Sequence, residues 1–398
     1  MRWSFAAVIL LFGVITIDLE SLKWSVRGIS LFSIPLLLQF TNYKELHIWA
    51  LWGGFFLIFQ SLLSPILINR DFKTLQPNMH QIVDVRAGIP GINGKQLVTT
   101  DSKGFRTTRD IDYEKSKSYR IFAIGGSTTE QIYLDDRNTW THLLQEHLSK
   151  TTKLDVEVIN TGVSGLRAKH HLATFQNIIG LHPDLVIFLV GINDWSWHIK
   201  EAFSKDNQDT KIAAYRANLL LRETLIGNLL NNTAKDEVPS IREDYGEYYS
   251  KQRDSLSRAN VFSFHPEDVH QNYIKHLLEI SNTCHENNIK CLFITQPTGY
   301  QNDANEYFKK GFWMTPPNKP YTLDFESMVD IAFLYNSFLL RFSRDNDHYA
   351  CDAASVLAPT FENFYDDCHF NTKGAKNMSM IVGKCIEGFF DNKDSRNK

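Results

Sequence analysis

Apolar and polar positions fall into two regimes along this chain. The first seventy residues carry three long apolar stretches, at 3–17, 28–43 and 46–68. Beyond them, apolar residues come in short runs separated by polar segments of helical period. A helix needs about 20 apolar residues to span a bilayer core, with a lower limit near 17. Only 46–68 clears that limit alone, and it carries Trp49 and Trp52 near one end, where amphipathic rings favour the membrane interface. The stretch 3–17 follows Arg2 but runs into Asp18-Leu19-Glu20 rather than a small-x-small cleavage site, so it reads as an uncleaved anchor. The stretch 28–43 contains Pro35 and reads as a short span or a re-entrant segment. With Arg2 inside, three spans place the remainder outside the cytoplasm and two return it there. Three is the preferred count.

Residues 71–118 are rich in Gly, Pro and polar side chains, as in Gly88-Ile-Pro90-Gly91-Ile-Asn93-Gly94, and read as a linker of turns and extended chain. A regular alternation follows. Strands are predicted at 119–124, 156–160, 184–190 and 289–295, and helices at 140–148, 169–179 and 268–287. Nearly continuous apolar strands alternating with helices indicate a parallel sheet covered on both faces, within a domain spanning 119–390. Between 195 and 265 the rhythm breaks into a polar insertion with a helical stretch near 213–230 and no clear strand. The charged tail, 391–398, reads as frayed.

Charge and cysteine content narrow the picture. A net charge of -3 spread along the chain excludes nucleic acid as the main partner, which would call for a concentrated basic patch. All five cysteines fall in the last third, without C-x-x-C pairs or zinc-finger spacing. In an oxidising compartment, Cys351 with Cys368 is the pairing to test first. Buried free thiols are the alternative, and an odd count leaves at least one unpaired in a monomer. His170-His171 and the pair His270 and His276 lack the spacing of metal ligands, and neither a phosphate loop nor a dinucleotide turn is present. No cofactor or metal is expected.

Open parallel sheets bind ligands at the carboxyl ends of their strands. Those ends carry Gly125-Gly126-Ser127-Thr128-Thr129, then Asn160-Thr-Gly162-Val-Ser164-Gly165, then Gly191-Ile-Asn193-Asp194, and near the C-terminus stands Asp366-Asp-Cys368-His369. A serine hydroxyl is a poor nucleophile until a base takes its proton. His369 can be that base, and Asp366, three residues earlier, can fix its tautomer. The oxyanion of a tetrahedral intermediate needs preorganised donors. The Ser127 amide, a glycine amide at the second strand end and the Asn193 side chain suit that task. Any one segment alone is more often an ordinary turn; their joint occurrence in order carries the reading.

These four segments resemble blocks I, II, III and V of the SGNH, or GDSL-type, hydrolase superfamily, with Ser127, Gly165, Asn193 and His369 at its name-giving positions. The resemblance implies a flavodoxin-like three-layer α/β/α sandwich and metal-free ester hydrolysis or acyl transfer. It also implies Gly165 rather than Gly162 as the oxyanion donor. Gly-Gly-Ser replaces the usual Gly-Asp-Ser, a variant similar to membrane-anchored members, which tend to carry an Asp-x-x-Gly-Phe-Arg segment upstream. Here that segment is Asp101-Ser-Lys-Gly104-Phe105-Arg106, and its simplest reading is a turn packing the linker onto the domain. The expectation is therefore an integral membrane protein with an extracytoplasmic serine esterase domain, acting on O-acyl groups, O-acetyl first, of a carbohydrate or lipid. The alternatives are an O-acyltransferase for an envelope or exported polysaccharide and a non-catalytic tethered binding protein.

Overall fold

The computed structural model describes residues 71–85, 89–109, 111–114, 118–152, 154–204, 256, 258–312 and 321–390. The three predicted spans, the helical stretch near 213–230 and the 391–398 tail lie outside the described residues. Among the described residues no helix is long and apolar enough to cross a membrane.

In chain order the strands are β1 (His80–Val85), β2 (Gly94–Thr99), β3 (Tyr119–Gly125), β4 (Val156–Asn160), β5 (Leu185–Leu189), β6 (Asn260–Phe262), β7 (Lys290–Ile294), β8 (Tyr321–Leu323) and β9 (Tyr349–Cys351). The helices are α1 (Ser127–Glu130), α2 (Trp140–Thr152), α3 (Ala168–Ile178), α4 (Ile192–Ser204), α5 (Gln271–Glu286), α6 (Glu306–Lys309), α7 (Phe325–Asp345) and α8 (Thr372–Ile386). The central sheet runs β4-β3-β5-β7-β9 with every pair parallel. This order places β3 at the topological switch point, the site where such sheets bind ligands.

Alternation along the buried strands sorts side chains into two cores. Ile121, Ala123, Val158, Ile187 and Leu292 face one layer, where they meet Trp140 and Leu144 of α2 and Met378 and Val382 of α8. Phe122, Ile124, Ile159, Phe188 and Phe293 face the other, with Phe175 of α3, Leu277 of α5 and Tyr335 and Leu339 of α7. Each strand thus buries both faces, which is why its sequence reads as one apolar run. The result is the three-layer parallel-sheet fold expected from the sequence.

Three expectations need correction. Residues 71–118 are not merely a linker: β1 and β2 pair as an antiparallel hairpin, and Val83 and Val98 are buried in the same core as Ile121. Pro90 and Gly91 lie in a turn between the strands, while Val83, Val85 and Val98 supply the apolar side. The insertion contains a strand after all, since β6 pairs in parallel with β8 at its far boundary. Its three residues are exposed, so no apolar run announces it. The cysteines pair as Cys284–Cys291 and Cys351–Cys385, leaving Cys368 buried and outside any disulfide. Cys385 lies on α8, which covers the sheet beside β9, and Cys368 is instead held against the His369 ring.

The outer side of β4 is occupied at its end by Arg106, which exchanges backbone hydrogen bonds with Asn160 at 2.9 and 3.4 Å. The opposite edge strand, β9, has only three residues.

Candidate active site

β3 ends in Gly125-Gly126, and the chain turns at once into the single helical turn α1, with Ser127 first. Both glycines are required by close approach. A Cβ at Gly125 would collide with the Thr129 hydroxyl, and one at Gly126 would lie 2.7 Å from Asn193 Nδ2. The Asn193 amide therefore packs directly over the residue preceding Ser127.

A one-turn helix cannot satisfy its carbonyls internally, and here side chains from elsewhere do so in succession. Trp140 Nε1 donates to Thr128 O at 3.2 Å and Asn160 Nδ2 to Thr129 O at 2.6 Å. The Arg106 guanidinium donates to Glu130 O and Gln131 O at 2.6 and 2.5 Å and also to Leu134 O, while its Nε bonds Asp136 at 2.8 Å. The Asp-x-x-Gly-Phe-Arg segment thus does more than pack. Asp101 accepts the amides of Lys103 and Phe105 and the Tyr113 hydroxyl. Gly104, at φ +80°, comes so close to Leu75 O that no Cβ fits. The turn they build delivers Arg106 to the back of the serine helix.

The loop before α8 brings the remaining groups. His369 Nε2 lies 2.7 Å from Ser127 Oγ, and Nδ1 lies 2.7 Å from Asp366 Oδ2. Asp366 Oδ1 also accepts the amides of His369 and Cys368 at 2.7 and 2.9 Å, so the carboxylate grips its own loop. Tyr365 stacks flat on the imidazole, with ring centroids 5.4 Å apart and 9° between planes. The Asp366 side chain is wholly buried and that of His369 is 11% exposed. Ser127, Asp366 and His369 are therefore brought together as the sequence predicted.

Blocks II and III hold one another. Asn193 Nδ2 donates to Leu166 O at 2.9 Å, which leaves its second amide proton uncommitted to that bond. Asp194 accepts the Ala168 amide on both oxygens, at 3.2 and 3.1 Å, capping α3. Burial pushes the Asp194 carboxyl up to about 7, against the lowering by that amide. Between these anchors sits Gly165, exposed and at φ +77°. Gly162 is buried against α1, and its amide already donates to Asn160 Oδ1 at 2.9 Å. The Gly162 amide is thus already engaged, while Gly165 stands exposed at the same strand end.

Sequence reasoning missed Arg106 as a support and Glu130 altogether. Glu130, fully buried in α1, is hydrogen-bonded by Ser164, the neighbour of Gly165. Burial pushes its carboxyl up, although Ser164 and Arg106 pull it down. Its only sequence signal was an acid placed three residues after the serine.

Among the described residues, Asp366, Cys368 and His369 are the one grouping with ligand atoms close enough to hold a metal. The donor set fits a metal poorly. Both imidazole nitrogens are engaged, and burial and then Asp366 and Asp367 push the Cys368 thiol far up, which keeps it protonated. His170 and His270 are helix-start acceptors, taking the amides of Arg167 and Asn272, and His171 is buried.

Burial by itself would lower the His369 pKa, but Asp366, by charge and hydrogen bond, with Asp367 and Glu130 behind it, raises it above 6.5. Burial likewise works to raise Asp366, and the His369 charge and hydrogen bonds outweigh it and hold it below 3.8. A base must be neutral to accept a proton, so with His369 in that role activity is expected to rise with pH as it deprotonates. The acid limb of kcat/KM is expected to have its midpoint above the ordinary histidine value. Initial rates between about pH 5 and 9 check this, and a midpoint at or below that value would contradict the pairing.

Residues 123–376 match the GDSL-like lipase/acylhydrolase family. No curated protein sequence matches the chain. Solved structures similar to it include an acetylxylan esterase from Geobacillus stearothermophilus, at 12% identity and a TM-score of 0.38, covering 70% of this chain and 97% of that one. A GDSL-like lipase from Bacteroides thetaiotaomicron VPI-5482 matches at 14% identity and a TM-score of 0.36, covering 70% and 93%. A psychrotrophic esterase from Pseudoalteromonas sp. matches at 12% identity and a TM-score of 0.37, covering 69% and 100%.

Proposed function

Because this chain belongs to the GDSL-like lipase/acylhydrolase family and is an ester-bond hydrolase, we propose that it works as a membrane-anchored serine esterase through an acyl-enzyme on Ser127. The observation that carries the proposal is the continuous pair of 2.7 Å contacts from Ser127 Oγ through His369 to Asp366. Ser127 Oγ attacks the ester carbonyl as His369 Nε2 takes its proton. Asp366 holds the Nδ1 proton and stabilises the imidazolium. The amides of Ser127 and Gly165 and the Asn193 side chain receive the oxyanion. The intermediate then collapses, the alcohol leaves with the proton from His369, and water repeats the sequence to release the acid.

A short acyl group, acetyl first, suits the narrow, shallow cleft over Ser127, which Tyr133, Tyr365 and Phe370 border. An acylated carbohydrate is the preferred substrate, with a lipid ester second. Two further features support an anchored, extracytoplasmic domain. The first is the run of apolar stretches in residues 1–70. The second is the pair of disulfides, which persist in oxidising compartments.

The test is labelling with a p-nitrophenyl phosphonate. The full-length chain is expected to take up one phosphonyl group, on the peptide containing Ser127, as p-nitrophenyl acetate hydrolysis disappears at the same rate. Hydrolysis that survives full labelling would refute the acyl-enzyme. Activity seen only when a sugar acceptor is added would instead mark an acyltransferase.

A further inference from the structure

Beside the serine site lies a separate cavity of about 270 Å³, lined by Gln296, Phe333, Asn336, Leu340, Asp352 and Ser355 among others. It opens where β7 and β9 end, at the carboxyl edge of the sheet that also presents Ser127. Gln296 joins the two regions: its Oε1 accepts the Thr128 hydroxyl at 3.2 Å, one residue from the nucleophile. Nothing in the ester chemistry above uses this space.

Its walls are fixed before any ligand arrives. Asn336 clamps the Gln296 backbone from both sides, accepting its amide at 2.8 Å and donating to its carbonyl at 3.1 Å. Thr295 donates to Asp352 Oδ1 at 2.9 Å while accepting the Ala354 amide at 2.9 Å. One residue before Asp352, Cys351 is tied to Cys385 on α8. Preformed walls reduce the ordering cost of binding.

The lining has a distinctive chemistry. Phe333, with 73% of its surface exposed, offers an aromatic face, and amide, hydroxyl and carboxylate groups share the same cavity. A carboxylate has about four acceptor positions, and Thr295 occupies one of those on Asp352. A sugar ring matches this pattern, since its C–H face is apolar and its rim is all hydroxyl. An acyl chain matches only the apolar part of the lining, Val329, Leu340 and Phe333 among it, and would strip water from Asp352 and the amides without returning hydrogen bonds. The negative charge also disfavours uronates and phosphate headgroups.

We infer that this cavity is a subsite for a neutral sugar residue in the alcohol half of the substrate, holding the glycan while its ester lies at Ser127. The inference rests on the esterase reading for its link to turnover, though not for binding itself.

The experiment compares the full-length chain with Phe333→Ala and Asp352→Asn on p-nitrophenyl acetate, O-acetylated xylooligosaccharides, O-acetylated oligogalacturonides and dioctanoyl phosphatidylcholine. Phe333→Ala is expected to raise KM for the xylooligosaccharide by about fivefold or more, with kcat and p-nitrophenyl acetate hydrolysis within about twofold of the parent. Asp352→Asn is expected to shrink the parent's preference for the neutral over the acidic glycan by about threefold or more. Unchanged KM in both variants would overturn the inference. So would parallel losses on p-nitrophenyl acetate in both, or a Phe333→Ala effect confined to dioctanoyl phosphatidylcholine. If the parent hydrolyses none of these esters, the esterase reading fails by itself. Calorimetry with deacetylated xylooligosaccharide then still decides the subsite: weaker binding by Phe333→Ala supports it, and equal or absent binding overturns it.

Discussion

Ser127→Ala is expected to lower kcat for p-nitrophenyl acetate by about 10³–10⁶, and His369→Ala by a similar factor. The two losses are not expected to multiply. Once the hydroxyl is gone, the base has no proton to take, so Ser127→Ala with His369→Ala should be no slower than either alone. Asp366→Asn is expected to cost less, because it leaves nucleophile and base in place and disturbs only the tautomer and the charge beside it. It should also lower the midpoint of the acid limb, since Asp366 is the main group raising the His369 pKa. The folded domain should tolerate Ser127→Ala, a small change at a partly exposed side chain. Circular dichroism of each variant beside steady-state kinetics provides the check. Losses that multiply in the double variant would mean that Ser127 and His369 do not act as one unit.

The second large effect is on stability. Arg106 is 2% exposed, and it serves Asp136 and three carbonyls at the end of the serine helix. Arg106→Ala would leave a buried carboxylate without its counter-charge and those carbonyls without donors. Breaking such a pair from one side costs about 3–5 kcal/mol, a large share of the roughly 5–15 kcal/mol that holds a domain folded. Arg106→Lys should recover only part of this, because an ammonium has three donors and no planar fork. Urea denaturation of the three proteins measures the difference. Burial pushes the Asp136 carboxyl up, while Arg106 pulls it down. Without Arg106 its folded pKa rises further above the unfolded value, so the variant binds more protons when folded. Its deficit should therefore narrow as pH falls and widen as pH rises through the Asp136 pKa. A deficit of under about 1 kcal/mol, independent of pH, would show that water replaces the guanidinium at no great cost.

Legibility in the sequence followed burial. The predicted strands at 119–124, 156–160, 184–190 and 289–295 agree with β3, β4, β5 and β7 to within a residue at either end, because strands covered on both faces leave an unbroken apolar run. That Ser127, His369 and Asp366 would meet was legible for a different reason: each belongs to a short local motif at a strand end or in the loop before α8. β9 escaped because three residues, two of them exposed, carry no period. The Met328, Ile331, Tyr335 and Leu339 spacing of α7 was legible in principle, since it repeats at helical intervals. Cysteine pairing was not, because separation along the chain does not reveal that α8 folds back beside β9. Nor was the Arg106 clamp. A buried polar network joining residues 24 to 30 apart leaves no periodic trace, and its Asp-x-x-Gly-Phe-Arg motif looks like any turn until its target is in view.

The two margins of the central sheet bear on how this protein can meet others. Arg106 takes the backbone groups at the end of β4, and β9 offers three residues on the other side. A visiting chain that recognises by strand addition needs a long ladder of unclaimed amides and carbonyls, and among the described residues neither margin supplies one. Strand addition at the central sheet is thus disfavoured, and what that sheet presents to a partner are the groups at the carboxyl ends of its strands. The same arrangement hinders edge-to-edge pairing of the central sheet with copies of itself at high local density.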